Sequence, residues 1–150
     1  MWSCLNEKTK QSIENLKRAF SRLGDAIKTP AEQNSLLIDG TIQRFEFCIE
    51  LFWKMLRRAL LESGVESGTP REASQKAYQA KWLNDEQLWI QMLQDRNRAS
   101  RVYEEEIAQE IFSRVPQYYE IMSQALADVE GKLWPDTSII VLAHRDYSCC

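Results

Sequence analysis

The stretch Ser35-Leu-Leu-Ile-Asp-Gly-Thr-Ile-Gln-Arg-Phe-Glu-Phe-Cys-Ile-Glu-Leu-Phe-Trp-Lys-Met-Leu-Arg-Arg-Ala-Leu-Leu-Glu62 carries the densest apolar load in the chain. Ile38, Ile42, Phe45, Ile49, Phe52, Leu56 and Ala59 follow one another at steps of 4, 3, 4, 3, 4 and 3. That is the spacing of one face of an α-helix. Phe47, Leu51 and Met55 widen the apolar surface beyond one stripe. A helix so broadly apolar packs on two sides, and a second subunit is the expected partner for one of them. Asp39-Gly40 is expected to loosen its first turns.

The same period extends outward in both directions. Upstream, Ile13, Leu16, Phe20, Leu23 and Ile27 make a narrow stripe on a helix from about Asn6 to Lys28. Thr29-Pro30-Ala31-Glu32 has the form of a capping box and predicts a helix start there. Downstream, Ser63-Gly64 ends the central helix. Thr69-Pro70-Arg71-Glu72 repeats the capping signal for a short helix to about Lys81, and Asn84 or Asp85 opens another with Leu88, Trp89, Met92 and Leu93 on its core side. Ile107, Ile111, Val115, Tyr118 or Tyr119, Met122, Leu126 and Val129 form a last helix. Pro116 is expected to kink or restart it, and Gly131 to cap it. The fold class is therefore all-α: an antiparallel up-and-down bundle of four to five helices. One domain, residues 1–133, is followed by a tail, 134–150, in which Ser138 to Leu142 reads as a short strand or extended arm.

Composition narrows the function classes. The chain has 150 residues, 44% hydrophobic and 27% charged, which suits one domain with one core. A net charge of −3 argues against a surface that grips nucleic acid everywhere, while leaving room for a local basic patch. No apolar run reaches the ~20 residues of a membrane span, and a cytoplasmic protein is expected. Cys48 falls inside the apolar helical pattern and reads as a small buried hydrophobe. There is no CxxC, and the single histidine, His144, has no partner at ligand spacing, so no metal site and no cofactor are expected. Glycine-rich phosphate loops are absent as well.

The most polar segment is Gln94 to Glu106, which looks like a hinge between two packed helices. It holds Arg96, Arg98 and Arg101, then Tyr103 and three glutamates. On a straight helix Arg96, Ser100 and Tyr103 share a face, whereas Arg101 lies about 140° from Arg96. Arginine binds phosphate in a bidentate fashion. Asn97 can orient a phosphate, and Tyr103 can stack or donate its hydroxyl. Arg96, Asn97, Ser100, Arg101 and Tyr103 are thus candidate binding residues for a nucleotide or RNA. The competing reading pairs Arg96, Arg98 and Arg101 with Asp95 and Glu104 to Glu106 on a solvated helix face, where such pairs contribute little.

Three segments resemble a known family. They are Asp39 to Lys54 in the central helix, Thr69-Pro-Arg-Glu-Ala-Ser74, and Leu88-Trp-Ile-Gln-Met-Leu-Gln-Asp-Arg-Asn-Arg-Ala-Ser100 with Tyr103 beyond it. Together they are similar to the nucleotidyltransferase substrate-binding proteins, a branch of the HEPN superfamily, over roughly Ile13 to Leu126. The resemblance implies a dimerising helical bundle that pairs with a separately encoded minimal nucleotidyltransferase, often as a toxin–antitoxin module. In ribonucleases of the superfamily an arginine, a polar residue and a following histidine carry catalysis. Those places map onto Arg96, Asn97 and position 101. In related pairs the transferase adenylylates a tyrosine two residues past the histidine, which maps onto Tyr103. Position 101 is arginine here. An arginine does not release its proton near neutral pH as histidine does. The expectation is a non-catalytic binding subunit. The alternative is a ribonuclease toxin using Arg96 and Asn97 and regulated by adenylylation of Tyr103.

Overall fold

The computed structural model describes residues 6–29, 34–101 and 104–133. Five helices occur in the order α1 (Glu7–Lys28), α2 (Ser35–Glu62), α3 (Pro70–Gln79), α4 (Glu86–Arg101) and α5 (Glu105–Leu133), with no strand among the described residues. The segment expected as a strand, within 134–150, lies outside them, as do Pro30, Ala31 and Glu32 of the first capping signal.

Cross-links between helices fix their directions. Asn6 N–H donates to Glu62 and Arg44 donates to the Arg22 carbonyl, so α1 and α2 run antiparallel. Asn84 meets Asp128 while Arg98 meets Glu110, so α4 and α5 do the same. Glu50 with Arg96 and Glu46 with Ser100 set α4 antiparallel to α2. The helix that decided the sequence reading is also the hub, because α2 touches every other helix. Its stripe is buried as predicted: Phe45, Cys48, Phe52, Met55, Leu56 and Ala59 are fully inaccessible. Phe45 stacks on Tyr118 of α5 at 5.3 Å, and Phe52 meets Trp89 of α4 at 4.8 Å, ring centroid to ring centroid. The Cys48 thiol, buried away from water, is pushed up to about 12 and behaves as a hydrophobe.

Helix ends follow local chemistry, with two corrections. Thr69 caps α3 by accepting from Glu72 N–H, as the capping signal predicts, while the Glu72 carboxylate reaches back one residue further than a capping box requires and accepts from Gly68 N–H. Thr29, by contrast, closes α1: its hydroxyl donates to the Asp25 carbonyl, and Asn34 is the residue that caps α2. Gly64, at φ +84°, ends α2 with paired bonds from Gly64 to Leu61 and from Val65 to Leu60. Neither Asp39-Gly40 nor Pro116 breaks its helix. A helical glycine costs only about 1 kcal/mol, which the burial of Ile42 and Phe45 in the following turns outweighs. Pro116 sits on the exposed side of α5, where water can satisfy the carbonyl whose partner it removes. Gly131 is no cap, since α5 continues to Leu133. Gly24 has a packing role: a Cβ there would lie 2.9 Å from the Tyr119 hydroxyl, whose ring stacks on Phe20.

Candidate functional site

The segment read as a hinge is mostly helix. Gln94 to Arg101 forms the last two turns of α4, and Glu105 already begins α5. Val102 and Tyr103 lie outside the described residues, as does the Arg101 side chain. Their proposed roles therefore rest on sequence.

Arg96 and Ser100, one turn apart, face α2, as their spacing predicts. Two residues there are also one turn apart: the Arg96 guanidinium pairs with the Glu50 carboxylate, and the single Ser100 Oγ–H is shared between the Arg96 carbonyl at 3.0 Å and Glu46 at 3.4 Å. The result is a small lattice of two acidic and two donor side chains across the α2–α4 seam. Arg96 also donates to Asn97 Oδ1 at 3.4 Å, and Glu50 takes a second cation, Lys54, at 3.2 Å. Partial burial works against ionising Glu50. The nearby Trp53 indole N–H and the Lys54 and Arg96 cations outweigh it, leaving the carboxyl below its usual range. For Glu46 the balance reverses: desolvation dominates over Ser100 and Arg96, and its pKa is raised.

Arg98 behaves as the solvated-pair reading expected in one respect, donating to Asp95 at 3.2 Å. Its other partner is Glu110 of α5, at 2.9 Å. Asp95 itself is not a surface group. It is 1% exposed and accepts from Arg114 at 3.0 and 2.9 Å and from the Tyr118 hydroxyl at 2.6 Å. Hydrogen bonding and charge from Arg98 hold Glu110 below its usual range. Residues 95 and 96 are neighbours in sequence but serve opposite seams of α4. Sequence reasoning missed Asp95, Glu50, Glu110 and Arg114 as a set. One signal was present: Asp95 continues the core side at steps of three from Trp89 and Met92, and a carboxylate in that position needs buried donors. The partners themselves come from other helices.

Two clefts of opposite character border the lattice. One, of about 270 Å³, has Asp39, Glu46 and Glu104 on its walls above an aliphatic floor that includes Ile107. The other, of about 180 Å³, lies between the start of α3 and α4 and is lined by Arg71, Gln94, Arg96 and Asn97 among others. The described residues contain no group of three His, Cys, Asp or Glu side chains able to hold a metal. No described helix is long and apolar enough to cross a membrane.

The family model described as "nucleotidyltransferase substrate binding protein like" matches residues 11–130. A curated relative, the probable ribonuclease HepT of Haemophilus influenzae, is 26% identical over 94 residues; the match covers 59% of this chain and 64% of that protein, just under two thirds of its length. A crystal structure of a protein from Thermus thermophilus is 32% identical and superposes with a TM-score of 0.69, covering 76% of this chain and 98% of that one.

Proposed function

This chain belongs to the nucleotidyltransferase substrate-binding protein family, and from that premise we propose that it is a non-catalytic binding subunit. It recognises a nucleotide or RNA and partners a separately encoded minimal nucleotidyltransferase in the cytoplasm, in a toxin–antitoxin pairing. The observation that carries the reading is the state of Arg96. Its guanidinium is neutralised by Glu50 across the seam, and the position that the family's ribonucleases give to histidine is occupied by Arg101. Two arginines offer anion binding and charge stabilisation; neither exchanges a proton near neutral pH. Homodimerisation fits the outward face of α2, where Leu36 is 79% and Phe47 is 62% exposed on a helix whose other face is already buried.

The curated relative is named a probable ribonuclease, which favours a second reading; with the family resemblance of the sequence, that reading is a toxin that cuts RNA through Arg96 and Asn97 and is restrained by adenylylation of Tyr103. Purified protein distinguishes the two. The subunit reading expects no cleavage of a mixed-sequence RNA, a gain of cleavage in Arg101→His, and stable co-purification with the transferase. Cleavage by the unaltered chain that Arg96→Ala abolishes overturns it in favour of the toxin.

A further inference from the structure

The cleft between α3 and α4 brings basic and neutral polar side chains from two helices together. Thr69, Pro70 and Arg71 form one wall and Gln94, Arg96 and Asn97 the other, over two aliphatic side chains of α4. No carboxylate lines it, in contrast to the acidic cleft that holds Asp39, Glu46 and Glu104. Arg71 is exposed and has neither hydrogen bond nor ion pair among the described residues. Three other guanidinium groups are spent on carboxylates: Arg96 on Glu50, Arg98 on Asp95 and Glu110, and Arg114 on both of these. The volume, about 180 Å³, is below the range of pockets that enclose a whole drug-sized ligand. It suits a compact anionic group with the rest of its molecule outside.

We propose that this cleft is a phosphoryl subsite in which Arg71, from α3, joins Arg96 and Asn97, from α4, on one phosphate of a nucleotide or RNA strand. The site deepens the binding-subunit reading and rests on it for its biological ligand. Arg71 contributes an unspent guanidinium with the planar fork that matches phosphate oxygens. Arg96 joins by exchanging Glu50 for the ligand, and Glu50 keeps Lys54 as a counter-ion when that happens. Asn97 offers its amide from the next position on the helix. Gln94, one turn before Arg98 and beside the same wall, adds a neutral donor.

The test uses the full chain and two probes, a nucleoside triphosphate and a single-stranded oligoribonucleotide, titrated separately. Arg71→Ala is expected to weaken whichever probe binds by about tenfold or more, the usual worth of a charge-assisted contact. For the oligoribonucleotide it should also lower the salt slope by roughly one contact. Arg71→Lys should recover part of the loss. Arg57→Ala, at another exposed arginine with no pairing and outside this cleft, should leave affinity unchanged. Loss confined to the triphosphate assigns a nucleotide, and loss for the oligoribonucleotide assigns RNA; both support the subsite. Equal affinity in Arg71→Ala and the unaltered chain, or equal losses in Arg71→Ala and Arg57→Ala, overturns it. Co-purification of Arg71→Ala with the transferase is scored alongside. A complex that forms while binding ignores Arg71 sinks the subsite alone, and Arg71-dependent binding without any complex sinks the subunit reading alone.

Discussion

Asp95 and Arg96 are adjacent in sequence and do opposite work. Asp95 turns toward α5, is buried, and has Arg98, Arg114 and Tyr118 as donors. Arg96 turns toward α2, is half-buried, and holds Glu50 at the edge of an open cleft. A buried carboxylate with several donors cannot release them without leaving charges unpaired in the interior, so it fastens one helix to the next. A guanidinium at a solvated edge can trade one anion for another at little cost. Within one turn of α4 the chain therefore separates a buried fastening from the candidate site.

Substitutions on the two seams should differ sharply. The largest effect is expected for Asp95→Ala, which leaves the buried Tyr118 hydroxyl without its acceptor and Arg114 with Glu110 alone. Urea denaturation should show a loss of about 3 kcal/mol; a loss under about 1 kcal/mol would mean that α4 and α5 are held by apolar packing alone. Tyr118→Phe removes one donor and keeps the ring stacked on Phe45, so about 1–2 kcal/mol is expected. It also carries a pH signature. Burial first, and then the hydrogen bond to Asp95, raise the Tyr118 pKa above the ordinary tyrosine range. A group whose folded pKa is raised gives stability that is present below its unfolded value, about 10, and is lost as pH rises toward the folded one. Alkaline denaturation should therefore be shallower in Tyr118→Phe than in the unaltered protein.

On the α2 seam the stability effects shrink and the binding effects grow. Glu50→Gln should change stability by less than about 1 kcal/mol, yet it releases Arg96 and should tighten phosphate binding several-fold, read by titration with a nucleoside triphosphate. Weaker binding in that variant would show that Glu50 positions Arg96 for the ligand and does not compete with it. The smallest shift is expected for Glu46→Gln. Glu46 has a raised pKa because burial disfavours its charge. Its contribution is complete below the unfolded carboxylate value and declines as pH rises through the folded one. The variant should be slightly more stable than the unaltered chain at neutral pH, by less than about 1 kcal/mol, with the difference vanishing in acid.

The fold was legible because its signals are periodic and local. The α2 stripe, the Thr69 cap and the Cys48 position all follow from spacing within one segment. Errors arose where a local signal had two uses. Thr29 before Pro30 reads as a helix start, but the hydroxyl serves the helix already ending there. Pro116 reads as a break, but on a solvent-facing turn its missing donor is tolerated. The site was legible only in part. The common face of Arg96 and Ser100 follows from helix geometry, and their shared target on α2 does not. Glu110 lies 12 residues from Arg98, Arg114 lies 19 from Asp95 and Glu50 lies 46 from Arg96, separations that only the packed bundle closes. Arg71 reaches the cleft from a different helix again.

The central claim, that this chain binds and presents rather than cuts, is tested most directly by intact and native mass spectrometry after co-expression with its nucleotidyltransferase. The account predicts a stable complex of the two proteins, with Arg96→Ala leaving assembly in place and cellular RNA intact in both cases. A chain that never associates with the transferase, and whose expression alone fragments RNA in an Arg96-dependent way, would contradict it.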